Sequence, residues 1–136
     1  MDRSSVQDWL DRYSAAWLSY DEAAIRSLFA PDARYRYHPY DPDEDTVAGV
    51  DAIANNWLDN RDTPGTYDSH YEAFAADGDR AVATGWSRYY EDATKAKLLR
   101  EYHNVFLLRF DADGRCAEFT EVFMVTSERS GAQAVS

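Results

Sequence analysis

Cysteine and metal-binding motifs are scarce in this sequence. Cys116 is the only cysteine, which excludes an intrachain disulfide and favours a reducing compartment. The three histidines, His38, His70 and His103, are scattered without HExxH or CxxC spacing, and the acidic loop 41–45 lacks the ligand spacing of a calcium loop. We therefore predict no metal site.

Basic residues are also few. Fourteen Lys and Arg face 25 Asp and Glu, and the net charge of -11 argues against nucleic acid and anionic membranes as partners. No apolar run approaches the roughly 18 residues of a membrane span, and residues 1–9 lack the character of a leader, so we predict a cytoplasmic protein. Because GxGxxG, GxxxxGK[ST] and GxSxG are missing, we predict no cofactor and no serine-hydrolase chemistry.

Aromatic residues are abundant instead. The chain of 136 residues contains four Trp, ten Tyr and six Phe, which suits a cavity wall or a core with polar tips. This length predicts a single domain, with a core over about residues 5–127 and a flexible tail at 128–136.

The first half of the chain shows helical periodicity. Apolar residues over 6–20 recur every three or four positions, which predicts an amphipathic helix capped by Ser5. A second helix is expected from an N-cap at Asp21 to Pro31, and a third over about 50–60.

Period-two patterns predict strands elsewhere. A short strand is expected over 34–40, with Tyr35 and Tyr37 on one face and His38 on the other. Turn residues such as DADG then divide the rest of the chain into an antiparallel meander of four strands, predicted over 67–76, 80–91, 98–110 and 115–126.

Two of these strands are apolar on both faces. The chain's own helices cover one face, so a second copy is expected to cover the other. We predict a homodimer through the outer face of the sheet, at Val105, Leu107, Val122 and Met124.

The order of elements over residues 6–126 resembles the SnoaL-like group of the nuclear transport factor 2-like superfamily, which includes ketosteroid isomerases. RYSAAW, DEAAIRSLFAPDA, GVDAI and RFDADGR carry the likeness. The resemblance implies an α+β fold of cystatin-like topology, a cone-shaped roll in which a helical hairpin and a third helix pack on a curved, mainly antiparallel sheet around an apolar pocket.

The resemblance also implies catalytic positions. Tyr13 matches the tyrosine that donates a hydrogen bond to the substrate carbonyl. The isomerases' basic Asp is missing, since Tyr37 or His38 falls there depending on the alignment, and their second acid corresponds to Phe106. Loss of both acids argues against steroid isomerisation, although His38 could act as a base near neutral pH.

Glu121 is the chain's own charged candidate. It shares a strand face with Phe119 and Phe123, and burial between them would raise its pKa and suit it to acid/base work. An ion pair with Arg88, on the Trp86 face of the middle strand, is the open alternative.

We hypothesise an acid/base isomerase, dehydratase or hydrolase acting on a small apolar carbonyl, epoxide or hydroxyl compound, with Tyr13, His38 and Glu121 as catalytic candidates. A non-catalytic ligand-binding protein and a protein-interaction module stay open as alternatives. The residues expected to line the pocket are Trp17, Tyr37, Trp57, Tyr71, Trp86, Arg88, Asn104, Phe106, Phe119 and Phe123.

Overall fold

A computed structural model describes residues 1–126 as three helices and a six-stranded sheet. The predicted tail at 128–136 lies outside the described residues. None of the helices within 1–126 has the length and apolar character needed to cross a membrane. The elements are α1 (Arg3–Ser19), α2 (Glu22–Ser27), β1 (Phe29–Arg36), β2 (Val47–Ala48), α3 (Val50–Asp59), β3 (Tyr67–Asp77), β4 (Arg80–Tyr90), β5 (Leu98–Phe110) and β6 (Cys116–Val125).

The sheet confirms the predicted fold class. Its strand order is β2-β1-β6-β5-β4-β3, and β3 to β6 form the predicted antiparallel meander. Only β1 runs parallel to its neighbour β6, because the chain crosses from one edge of the sheet to the other through α3. The three helices and the curved sheet form the α+β roll expected from the sequence.

The N-terminal boundaries differ from those predicted. Asp2, not Ser5, caps α1, because its carboxylate accepts a hydrogen bond from the Ser5 backbone N–H at 2.8 Å. The helix α2 ends at Ser27, and Phe29 begins β1 opposite Cys116. Pro31 therefore lies inside the strand, in a stretch where the pairing with β6 is irregular and the missing N–H is tolerated.

Aromatic rings fill the core between the helices and the inner face of the sheet. Trp9 of α1 is 1% exposed, and its Nε1 donates to the Leu28 carbonyl oxygen at 2.9 Å. Tyr35 and Phe119 stack with ring centroids 4.3 Å apart, and Tyr13 stacks on the same Phe119 at 5.5 Å. This packing fixes α1 and β1 on β6 and so positions the residues beside them.

The two faces of the sheet follow from its register. One row across the inner face pairs Tyr71 with Gly85, Asn104 and Phe123 in turn. The adjacent outer row pairs His70 with Trp86, His103 and Met124. Helices cover only the inner face within residues 1–126.

Two predicted pocket residues lie on the wrong face. Trp86 and Arg88 are on the outer face, where the Arg88 guanidinium lies 4.0 Å from the Trp86 ring centroid and Nε binds Glu101 at 2.6 Å. The ion pair between Arg88 and Glu121 is therefore not formed. The inner positions of β4 carry small residues, among them Ala83 and Gly85, because aromatic rings of the neighbouring elements fill the space above them.

Candidate active site in a tyrosine-lined cavity

A cavity of about 320 Å³ lies between α1, the residues after α3 and the inner face of the sheet. Its volume is at the lower end of the range for small-molecule sites. Three charged residues contribute to its walls, Asp62, Arg100 and Glu121. The remaining walls are mainly aromatic, and seven tyrosines are among them: Tyr13, Tyr35, Tyr37, Tyr67, Tyr71, Tyr89 and Tyr102.

Glu121 is the cavity residue with the most strongly perturbed carboxyl. Burial raises its pKa from 4.5 to about 7, and the opposing effects of a hydrogen bond from Asn104 and of the charge on His38 are smaller. At neutral pH the side chain therefore populates both its neutral and its charged form. A group with this property can accept a proton and return it within one reaction cycle.

A short hydrogen-bond chain orients the Glu121 carboxyl. The Ser87 hydroxyl donates to Asn104 Oδ1 at 3.1 Å, and Asn104 Nδ2 donates to Glu121 Oε1 at 2.7 Å. Ser87 and Asn104 are both buried. Because the Ser87 hydroxyl donates to the amide oxygen of Asn104, the amide nitrogen points towards the carboxyl of Glu121. Glu121 Oε2 accepts no hydrogen bond from residues 1–126, so it is available to a ligand.

The tyrosine hydroxyls around Glu121 are neutral donors. Burial raises the pKa of Tyr13 and of Tyr35 well above 10, and the negative charge of Glu121 adds to the increase at both residues. Their hydroxyl oxygens are 3.4 Å apart, and those of Tyr67 and Tyr71 are 3.1 Å apart. Each pair needs one proton between its two oxygens, so the other hydroxyl proton can be donated to a ligand.

Six of the thirteen predicted site residues line this one cavity. They include Tyr13 and Glu121, the two on which the enzyme hypothesis depends, and the full set is Tyr13, Trp17, Tyr37, Tyr71, Glu121 and Phe123.

Other predicted residues pack behind the wall. Trp57, Phe106 and Phe119 are buried in the core cluster, where their rings support Tyr13 at centroid distances of 5.3, 5.6 and 5.5 Å. Asn104 reaches the cavity only through its hydrogen bond to Glu121.

His38 lies at the edge of the cavity rather than among its lining residues. It follows the end of β1, and its Nδ1 is 3.1 Å from Asp41 Oδ1. Its ring stacks on Tyr40 and lies 5.6 Å from the Phe123 ring. From this position it acts on Glu121 through its charge, which lowers the pKa of that carboxyl.

Several lining residues were missed by sequence reasoning. Arg100 and Tyr102 share the strand parity of Asn104, so alternation from that buried amide would have found them. Asp62 follows α3 in a loop and carries no such signal. Its Oδ2 accepts hydrogen bonds from Trp17 Nε1 at 3.1 Å and from the Tyr20 hydroxyl at 3.2 Å.

A second depression of about 370 Å³ lies at the other end of the sheet, lined in part by Val82, Leu107 and Thr120. Four charged residues line it, Asp77, Arg80, Arg109 and Glu118, and Arg109 pairs with Glu118 at 3.5 Å. None of these four side chains is buried, so we assign the candidate site to the tyrosine-lined cavity. Within residues 1–126, no three side chains among His, Cys, Asp and Glu are grouped as a metal site requires.

Comparisons with solved structures show the fold. A protein of unknown function with a cystatin-like fold from Methylobium petroleophilum PM1 superposes with a TM-score of 0.63 at 20% identity, over 90% of this chain and 78% of that one. An LEH-like epoxide hydrolase from M. tuberculosis gives a TM-score of 0.63 at 12% identity, over 90% and 84%. A ketosteroid isomerase candidate from Kribbella flavida DSM 17836 gives 0.63 at 15% identity, over 90% and 79%.

The sequence itself matches one family model. The search of curated proteins found no match to this sequence. The model of the SnoaL-like domain matches residues 10–119, which include α2, α3, most of α1 and twelve of the fourteen residues that line the cavity. Glu121 and Phe123 lie beyond the matched range. The chain therefore belongs to the SnoaL-like domain family of the nuclear transport factor 2-like superfamily.

Proposed function

We propose that this protein is a cofactor-independent acid/base enzyme for a small, largely apolar molecule that carries a carbonyl, epoxide or hydroxyl group. The observation that carries the proposal is Glu121, a desolvated carboxyl whose pKa is raised to about 7 inside a cavity with tyrosine hydroxyls. Tyr13 and Glu121 line the same cavity, as an enzyme requires and an interaction module does not.

Isomerisation illustrates the roles of these groups. In a β,γ-unsaturated carbonyl compound, the Glu121 carboxylate removes a proton from the carbon between the carbonyl and the double bond. The electron pair of the broken C–H bond forms a new C=C bond as the carbonyl becomes the oxyanion of a dienolate. A Tyr13 or Tyr35 hydroxyl donates a hydrogen bond to the oxygen on which negative charge develops. Glu121 then returns the proton to a different carbon, so that atoms and charge balance. Epoxide opening or dehydration would use the same acid/base and donor groups.

The names of the superposed structures are consistent with acid/base chemistry on this fold. Their names include an epoxide hydrolase and a ketosteroid isomerase candidate. Reactions of these kinds convert carbon–oxygen compounds by moving protons. In this chain, which lacks both isomerase acids, Glu121 would carry the proton and the tyrosine hydroxyls would stabilise the oxyanion.

We also propose that the protein is a homodimer through the outer face of the sheet. Leu107 is 42% exposed and Met124 is 62% exposed on this face, beside Val105 and Val122. Ion pairs such as Arg109–Glu118 flank the apolar centre. A two-fold axis would bring the patch against its own copy, burying the apolar centre and keeping the charged rim in water.

Native mass spectrometry of the gently purified protein tests the dimer and the pocket together. We expect twice the 15.5 kDa chain mass, plus a discrete small mass that denaturation releases.

Leu107→Glu should give a monomer, while the control Leu18→Glu, at an exposed position of α1, should leave the dimer intact. A monomeric wild type would contradict the proposed dimer. Failure of the wild type to convert the released compound would contradict the proposed enzyme.

A further inference from the structure

Arg100 is the one cationic side chain that lines the tyrosine cavity within residues 1–126. It extends from β5 beyond the last pairing with β6, at an exposed position near the mouth. The chain carries a net charge of -11, so most of the charged residues around a cation are acidic and could pair with it. Its local partners therefore decide what it can bind.

Two tyrosine rings hold the guanidinium, and no carboxylate among residues 1–126 does. Its central carbon lies 4.7 Å from the ring centroid of Tyr89 and 5.9 Å from that of Tyr102. The ion pairs formed within residues 1–126 include none made by Arg100. Arg88, on the outer face of the neighbouring strand, instead binds Glu101 at 2.6 Å. The planar N–H fork of Arg100 is thus oriented by ring contacts and keeps its donors for another group.

The other two charged residues of the cavity do not use Arg100. Asp62 directs its Oδ2 to Trp17 and Tyr20, which attaches the loop after α3 to α1. Glu121 lies at the far end, since its partner Asn104 is four residues along β5 from Arg100, about 13 Å at the rise of a strand. The cavity therefore has Glu121 at one end and, at the other, a cation that forms no ion pair with any residue of 1–126, with tyrosines between them.

We propose that Arg100 binds the carboxylate of the ligand, so that the substrates are small apolar carboxylic acids whose carbonyl, epoxide or hydroxyl group reaches Glu121. The inference deepens the proposed function and depends on it for the reacting group. A carboxylate matches the fork of a single guanidinium and its single charge. A phosphate ester carries nearly twice the charge, and no second cation lines the cavity within residues 1–126 to neutralise it.

The test is a comparison of acids with their uncharged amides. Isothermal titration would measure phenylacetate and 4-phenylbutyrate against phenylacetamide and 4-phenylbutanamide. We expect at least one acid to bind about tenfold tighter than its amide, the size of effect that one charge-assisted contact supplies. Arg100→Gln should remove this preference by weakening only the acid. The control Arg12→Gln changes the net charge equally at an exposed position of α1 and should keep it.

Binding is measured without turnover, so the two proposals fail separately. Glu121→Gln should keep the acid preference, because the carboxylate contact is at the other end of the cavity. Equal binding of acid and amide, an unchanged preference in Arg100→Gln, tighter binding of phenyl phosphate than of phenylacetate, or no binding of any acid would each overturn the inference. Acid binding through Arg100 in a protein whose turnover does not need Glu121 would support the inference and contradict the proposed mechanism.

Discussion

Glu121→Gln is expected to lower kcat/KM by two to four orders of magnitude, the usual contribution of a positioned general acid/base. Glutamine has the same shape and can still accept the hydrogen bond from Asn104, but it cannot take up or release a proton in this pH range. The residue is half-buried and its carboxyl is already desolvated, so the uncharged substitute should not unfold the protein. Steady-state kinetics on the compound released from the native protein would measure the loss.

Glu118→Gln is the matched control for this experiment. Glu118 lies on the same strand, three positions away, but on the outer face, where it pairs with Arg109 at 3.5 Å. Its substitution removes the same functional group and should leave kcat/KM within about twofold of the wild type, because surface pairs contribute little. Wild-type turnover in Glu121→Gln would exclude Glu121 from the mechanism.

Gly85→Ala is expected to destabilise the fold by about 3 kcal/mol or more, the upper range for overpacking. A methyl group at this position would lie 2.0 Å from the His70 carbonyl oxygen and 2.6 Å from Tyr71 Cδ1. The neighbours cannot move aside cheaply, since one is backbone of the paired strand β3 and the other is a ring packed on Phe106 at 4.7 Å. Urea denaturation followed by tryptophan fluorescence would give the change in unfolding free energy.

Gly78→Ala separates this clash from the general effect of replacing a glycine. Gly78 lies in the turn between β3 and β4 with φ at +60°, and no atom is within 4 Å of an added methyl group. Only the left-handed backbone opposes the substitution, at about 1 kcal/mol. A Gly85→Ala protein as stable as Gly78→Ala would show that β3 and Tyr71 can move away. The inner face of the sheet would then adjust to an added methyl group more easily than the packing indicates.

The fold was predictable because its main elements repeat a clear period. Apolar spacing identified α1 and α3, and turn residues divided the meander from β3 to β6. The start of β1 was not predictable, since Phe29 continues the apolar stripe of α2 and becomes extended only through its pairing with Cys116 on β6. The strand β2 has just two residues and exists only through its pairing with β1, so it leaves no local pattern.

The candidate site was predictable only in part. Alternation along β6 placed Glu121 and Phe123 on one face, and the family resemblance assigned that face to the cavity. The helical period placed Tyr13 and Trp17 together on one side of α1. The same logic failed at β4, where the large Trp86 faces outward.

The failure at β4 has a physical cause. Burial there follows the space left by neighbouring rings, which favours the small residues Ala83, Gly85 and Ser87 at the inner positions. Asp62 reached the cavity through a loop conformation, which sequence periodicity does not encode.

The raised pKa of Glu121 also predicts in which direction the stability of the fold changes with pH. The folded protein binds a proton at Glu121 up to about pH 7, whereas the unfolded chain releases it near 4.5. The folded state therefore holds more protons between these values, and its stability falls as the pH rises through this window. Relative to the wild type, Glu121→Gln should gain about 3 kcal/mol between pH 4 and pH 8.

The most direct test of the account is the ionisation of Glu121 itself. An NMR titration of the protein with ¹³C-labelled glutamate carboxyls, with Glu121→Gln to assign the signal, would follow this one group. A midpoint near pH 7 is the predicted result, because the carboxyl is desolvated in the tyrosine-lined cavity and held by one hydrogen bond from Asn104. A midpoint near 4.5 would show that water reaches the carboxyl freely, and would contradict its assignment as the acid/base group of the site.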